Sequence, residues 1–227
     1  MLPPSIENQP GSALRLHEIL HTWRGRFTEA TADFTRAIEL QPDDEEVWTC
    51  LATVLAKSGQ LDAYRELCRK SVARFGETTD PVIAERIAGA CLILHSSGAD
   101  LATIARMADT AVTAAPDHAA MTWFQFAKGW AEYRQGRFAS AVEWMQKVLA
   151  RTGRELDRDA QAYAVLAMAQ HRLKQVNDAR AALAKGVASG SGDSGELGGG
   201  GFSWIVAQLL LREAKALIEG GPAASKD

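Results

Sequence analysis

The strongest constraint on this chain is that it repeats itself. GRFTEATADFTRAIEL (25–40) and GRFASAVEWMQKVLAR (136–151) align without a gap: the same Gly-Arg-Phe opening, a small residue five positions after the glycine (Ala30, Ala141) and an apolar stripe behind it. Gly25 and Gly136 lie 111 positions apart, three steps of 37, and copies stand near both intermediate points. KSGQLDAYRELCRKSV carries Gly59, and SSGADLATIARMADTAV carries Gly98. A fifth copy, LKQVNDARAALAKG, aligns Val176 and Ala179 with Phe27 and Ala30, with Lys174 in place of the turn glycine. Self-similarity at such a period marks a stacked array rather than a single wrapped core.

The segments between the copies are helical in pattern. EEVWTCLATVLAKSG, DPVIAERIAGACLILHSSG, AAMTWFQFAKGWAEYRQG and RDAQAYAVLAMAQHRLKQ each place apolar residues at spacings of three and four, and most end near a turn glycine. Asp80-Pro81 reads as an N-cap followed by proline at the first helical position. No segment alternates with period two, so the expected class is all-α and each unit is a hairpin of helix A, a short turn and helix B. One such pair cannot bury its apolar face alone, and stacking neighbours solves that problem.

At this point the chain resembles the tetratricopeptide repeat family, whose hairpin of about 34 residues carries a turn glycine, an aromatic two positions later, a small residue where the helices cross and a proline after helix B. Gly25, Phe27, Ala30, Phe34, Ala37 and Pro42 follow that order, and Gly136, Phe138 and Ala141 follow it again, with Gly129 at the small site of helix A. The step from Gly25 to Gly59 is 34; later steps run to 38 or 39, and Tyr64 replaces the small crossing residue of the second copy. A weaker likeness is to the repeat regions of large bacterial multidomain scaffold proteins. The resemblance implies a right-handed α-solenoid of about five hairpins, with units near 12–44, 45–78, 80–116, 117–153 and 157–188, after an N-terminal tail at 1–11. Residues 189–201 are Gly/Ser-rich and read as a loop. The stretch 202–220 resumes as an amphipathic helix, with Trp204, Ile205, Gln208, Leu209, Arg212 and Lys215 near helical spacing, and is expected to cap the exposed last unit; 221–227 is a tail.

Composition narrows the function. A net charge of −3 with interspersed signs argues against a nucleic-acid surface. There is no run of about 18 apolar residues for a membrane span, and MLPPSIENQP lacks the pattern of a signal peptide; the expected compartment is the cytoplasm. Cys50, Cys68 and Cys91 are widely spaced and odd in number, so they read as small buried residues rather than a disulfide framework.

Three strings mimic active sites. His17-Glu18-Ile19-Leu20-His21 fits HExxH, in which a helix offers two histidines to zinc. It lies in helix A of the first unit with no sheet to frame a cleft, so His17 and His21 are read as surface histidines, and a zinc hydrolase is kept only as an outlier. Gly192-Asp193-Ser194-Gly195 looks like a serine-protease nucleophile loop, but that chemistry is defined by a triad geometry on a rigid scaffold. Residues 190–195 also fit GxGxxG, yet they follow a helix rather than a strand. No catalytic residue, cofactor or resident metal is expected, and the chain is read as a non-enzyme.

Binding is the better reading. The resemblance implies that A helices line a concave groove. Registering them by their turn glycines puts Trp123, Phe126, Trp130 and Arg134 toward it, joined by Arg86 and Ile93, by Glu46, Thr49, Thr53 and Lys57, and by Ala164, Met168, His171 and Arg172. Such a groove suits a peptide or protein segment with apolar anchors and carboxylates for the arginines. An aromatic stripe at helical spacing is equally the signature of a core face, so burial of Trp123, Phe126 and Trp130 is the competing expectation. Asn8 and Asn177 are the sole asparagines, which disfavours the carboxylate-clamp form of the family. The alternative function is a structural subunit that joins copies through its end faces into a homo-oligomer or filament.

Overall fold

The computed structural model describes residues 26–151, 155–190 and 201–220, and every regular element among them is helical. The helices are α1 (Phe27–Leu40), α2 (Glu45–Ser58), α3 (Leu61–Phe75), α4 (Pro81–Leu92), α5 (Leu101–Ala111), α6 (Met121–Arg134), α7 (Phe138–Leu149), α8 (Leu156–Arg172), α9 (Val176–Gly190) and α10 (Phe202–Glu219). Helix α1 carries the motif of a second helix, with Phe27 and Ala30 where α7 has Phe138 and Ala141. Four hairpins follow: α2/α3, α4/α5, α6/α7 and α8/α9.

Local chemistry sets the helix ends. The Asp44 carboxylate accepts from the Glu46 amide at 3.2 Å, Glu45 and Glu46 stand in the first turn of α2, Lys57 in its last, and Gly59 closes it at φ 74°. Asp80 accepts from the amides of Val82 (2.8 Å) and Ile83 (3.2 Å) with Pro81 at the first helical position, as the sequence reads. Asp100 does the same for α5 through Ala102 and Thr103. At the fifth turn Lys174 takes φ 66°, close to the 77° of Gly136, and among the described residues it is the one non-glycine in that region. The repeat imposes the turn even where its glycine is gone.

Small residues let the paired helices close. Ala30, Ala141 and Ala179 are fully buried. A β-carbon on Gly129 would stand 2.6 Å from Cβ of Trp144, so glycine is required where α6 crosses α7. At the equivalent place in α3, Tyr64 turns outward from its own hairpin and reaches the next. Its buried hydroxyl donates to the Ala90 carbonyl at 2.8 Å and accepts from the Leu94 amide at 3.3 Å.

The first helices α2, α4, α6 and α8 pack in series, and each second helix from α1 to α7 also packs on the first helix of the next hairpin, giving one continuous apolar core. Cys68 and Cys91 are buried in it as free thiols, and Cys50 is half-buried.

Helix α10 caps the last hairpin, lying on α8 and α9 with Leu211 against Gly186 and Gly190. It also reaches α2, three hairpins back. At its first turn, Phe202 stands edge-on to Phe34 of α1, with centroids 5.9 Å apart, while the Ser203 carbonyl accepts from Gln161 of α8 at 2.9 Å. The first and fifth units therefore meet at one turn of one helix, and the array curls around α10. Its buried positions are Ile205, Ala207, Leu210, Leu211, Ala214 and Ile218, whereas Arg212 and Lys215 are exposed. The stripe read from sequence was rotated, because α10 is enclosed on several sides rather than laid on one.

Candidate functional site

The face lined by α2, α4, α6 and α8 is where the sequence places recognition; α10 packs on two of these helices, α8 and α2, and is joined to the ends of α6 and α4 through Arg134. The contact centres on Arg134, the last residue of α6. Both arms of its guanidinium close on Glu213 of α10, one of them at 2.8 Å. Its Nε donates to the Leu92 carbonyl at 3.1 Å, and Nη2 donates to the carbonyls of Leu92 and Ile93 at 3.0 and 3.2 Å. Those carbonyls end α4, where the last turn of a helix has no intrahelical donors left. One buried cation thus caps α4, stacks near Tyr133 (5.6 Å) and Trp130 (6.0 Å), and clasps α10. Burial works to lower the Arg134 pKa, but the hydrogen bond and charge of Glu213 override it and hold the group above its ordinary value. Burial also raises the Tyr133 phenol, with Glu213 adding to the effect.

Four of the residues read toward the groove are buried, which for Phe126 and Trp130 is the competing expectation of a core face. Phe126 and Trp130 are each 2% exposed, Met168 is fully buried and Arg134 is 9% exposed, so none of them presents an open groove surface. The aromatics instead stack on one another. Trp123 is edge-on to Phe126 with centroids 6.1 Å apart, and Phe126 lies 5.4 Å from Trp130. Thr53, Ile93 and Ala164 are buried as well. The physical reason is neighbouring packing: α6 is packed on α4, α5, α7 and α8, and α8 on α6, α7, α9 and α10, so the rings and Met168 lie between helices.

Other residues on this face keep access to solvent. Trp123 and His171 are half-buried and Arg172 is exposed. Arg86 is half-buried and joins α4 to α2 through Glu45 at 2.7 Å. His17, His21 and Ser194 lie outside the described residues, and among the described residues no group of three or more His, Cys, Asp or Glu side chains is placed to hold a metal. Nor, among them, is any helix long and apolar enough to cross a membrane.

Two features escaped sequence reasoning. Glu213 stands between the apolar Leu211 and Ala214, and a carboxylate beside a buried stripe was the available signal. The other is the cluster under the α6/α7 turn: Glu132, almost fully buried, pairs with Lys128 at 2.6 Å and with Arg137 through both carboxylate oxygens, while Lys128 also bridges to Asp109 of α5. The Arg137 hydrogen bond, with Lys128 behind it, pulls the Glu132 carboxyl down to about 2 against the cost of burial. In α4, by contrast, burial pushes Glu85 up to about 7, with Arg86 opposing.

Comparison with known proteins places this geometry. Models described as tetratricopeptide repeat match residues 34–63, 105–155 and 126–194. Among solved structures, the chain is similar to TTC0263, a thermophilic TPR protein of Thermus thermophilus, at 19% identity over 90% of this chain and 97% of that one, with a TM-score of 0.56. It is similar also to PilW, a type IV pilus biogenesis factor, at 18% identity over 96% of each chain and a TM-score of 0.57. At these identities the likeness is one of fold. No curated protein matches the sequence.

Proposed function

We propose a function from an established premise: the chain belongs to the tetratricopeptide repeat family. The fold is that of a protein–protein interaction scaffold. In our reading the chain is a non-enzymatic scaffold that takes a protein segment along the face of α2, α4, α6 and α8. One observation carries this: an amphipathic helix, α10, already lies on that face with a carboxylate held by Arg134. The face is therefore chemically suited to a helical segment with apolar anchors and an acid. The accessible residues Trp123, Arg86, His171 and Arg172 serve as its rim. Photo-cross-linkers placed at Trp123 and Arg172 test the reading against controls at the exposed Glu143 and Arg180 of α7 and α9. Adducts to one protein of the host at the rim positions are expected; adducts at the outer positions alone overturn it.

A second reading, self-assembly, is favoured by Val176 and Val187, both exposed on α9 and 11 positions apart, hence near one line along the helix. Its test is light scattering across concentration. A mass that grows with concentration and falls back in V187E supports it, and a constant monomer mass rules it out.

A further inference from the structure

We infer that α10 is a resident occupant of the inner face that a partner exchanges for its own helix, and that this partner is an amphipathic helix bearing a carboxylate in the place of Glu213. The inference rests on the functional reading above and names its ligand.

Two observations carry it. First, α10 packs on the first helices α8 and α2 as well as on α9, and its carboxylate reaches α6. Its apolar stripe of Ile205, Leu210, Leu211, Ala214 and Ile218 is buried, and one charged residue, Glu213, is clasped in bidentate fashion by a buried arginine. A planar guanidinium that is itself buried, as that of Arg134 is, selects a carboxylate by geometry as well as charge. Second, Arg134 is held ready without α10. Three hydrogen bonds to the carbonyls of Leu92 and Ile93 fix its orientation from the α4 side, leaving the fork toward Glu213 directed at whatever helix lies there.

Because α10 is tethered, it competes at an effective concentration in the millimolar range, and a free copy of the same helix is excluded from the intact chain by about a hundredfold or more. Weakening the tether contact at Glu213 opens the face. The probes are two labelled 18-residue peptides: one copies Phe202–Glu219, and the other is that copy with E213R. The receptors are full-length chains: wild type, E213R and R134E. The wild type is expected to bind neither peptide at micromolar concentration. The E213R chain, with Arg134 freed, is expected to bind the natural copy about tenfold or more tighter than the E213R peptide, the scale of a buried charge pair made or broken. In the R134E chain the preference reverses. Misfolding cannot produce such a reversal, and hydrogen exchange of α2 to α9 in each chain checks the hairpins directly.

Several results overturn the inference. They are loss of hairpin protection in both variants, folded variants that bind neither peptide, and binding of both peptides alike; the first two make α10 permanent core, and the third removes the carboxylate selectivity. If the inference fails while rim cross-links at Trp123 persist, the scaffold reading stands. If cross-links fall on the outer helices alone, that reading fails whatever the peptides do.

Discussion

Hairpins α6/α7 and α4/α5 are copies of one motif that end their first helices in different ways. After α6 the chain turns through residues 135–137, and the last carbonyls are met by the chain itself: Ala131 by the amide of Gln135, Tyr133 by Gly136 and Glu132 by Arg137, at 2.9–3.0 Å. Helix α4 is two residues shorter and is followed by the longer connection 93–100. Its terminal carbonyls are met from outside, Ala90 by Tyr64 of α3 and Leu92 and Ile93 by Arg134 of α6. The strict repeat closes on itself, whereas the degenerate one borrows its caps from both neighbours and, through Arg134, is linked to α10. Degeneracy in a repeat array is thus where the units become tied to one another. The same contrast appears in their carboxylates: Glu132 has two cations and is driven down to about 2, while Arg86 turns to Glu45 and Glu85 is driven up to about 7.

The largest expected break in this contrast is R134M. It leaves the end of α4 uncapped and Glu213 without its cation; because the arginine is buried but the glutamate is 30% exposed, the cost is about 3 kcal/mol, the low end of the range for a buried pair. Urea unfolding measures it, and a loss below about 1 kcal/mol would mean that α4 does not depend on its neighbour.

Acid titration separates the two carboxylates. The folded value of Glu132 lies below its ordinary 4.5, so this group adds stability above pH 4.5 that is lost as pH falls toward 2. That is on the order of 3 kcal/mol at 1.36 kcal/mol for each pH step. The folded value of Glu85 lies above 4.5, so its destabilisation is absent below pH 4.5 and grows as pH rises to 7. E132Q should flatten the acid limb of stability against pH and E85Q the limb from 4.5 to 7; an exchange of those effects would reverse the assignment.

Y64F is smaller. It removes the hydroxyl that ties α3 to α4, leaving the Ala90 carbonyl and Leu94 amide unmet, for a loss of about 1–3 kcal/mol with faster hydrogen exchange confined to the end of α4. The smallest is a gain: K174G relieves a side chain held at φ 66°, worth about 1 kcal/mol and a melting temperature higher by a few degrees for a chain of this size. No change there would mean that Lys174 is held by contacts that offset its backbone strain.

Much of this fold was legible in the sequence because its determinants are local. Asp80-Pro81, Gly136 and Ala141 act within a few residues of themselves, so their types announce their roles. Lys174 was legible too, since alignment placed it at a turn whose backbone it had to adopt. The face of Phe126, Trp130, Arg134 and Met168 was not. Periodicity tells which residues share a side of a helix and is silent on what will lie against that side. Glu213, the partner of Arg134, is 79 positions away on a helix whose burial stripe the sequence pattern misplaced by part of a turn.

The sequence alone thus determined a repeating helical hairpin, its turns, its caps and its small crossing residues, because each is a matter of backbone geometry and nearest-neighbour packing. Tertiary structure decided the rest. How far the hairpins curl is set by the summed tilt of every crossing, including the insertions around α4. Only when that curl brings the first and fifth units to one turn of α10 does the inner face become an enclosed site, with a buried arginine at its centre and a carboxylate in its grip.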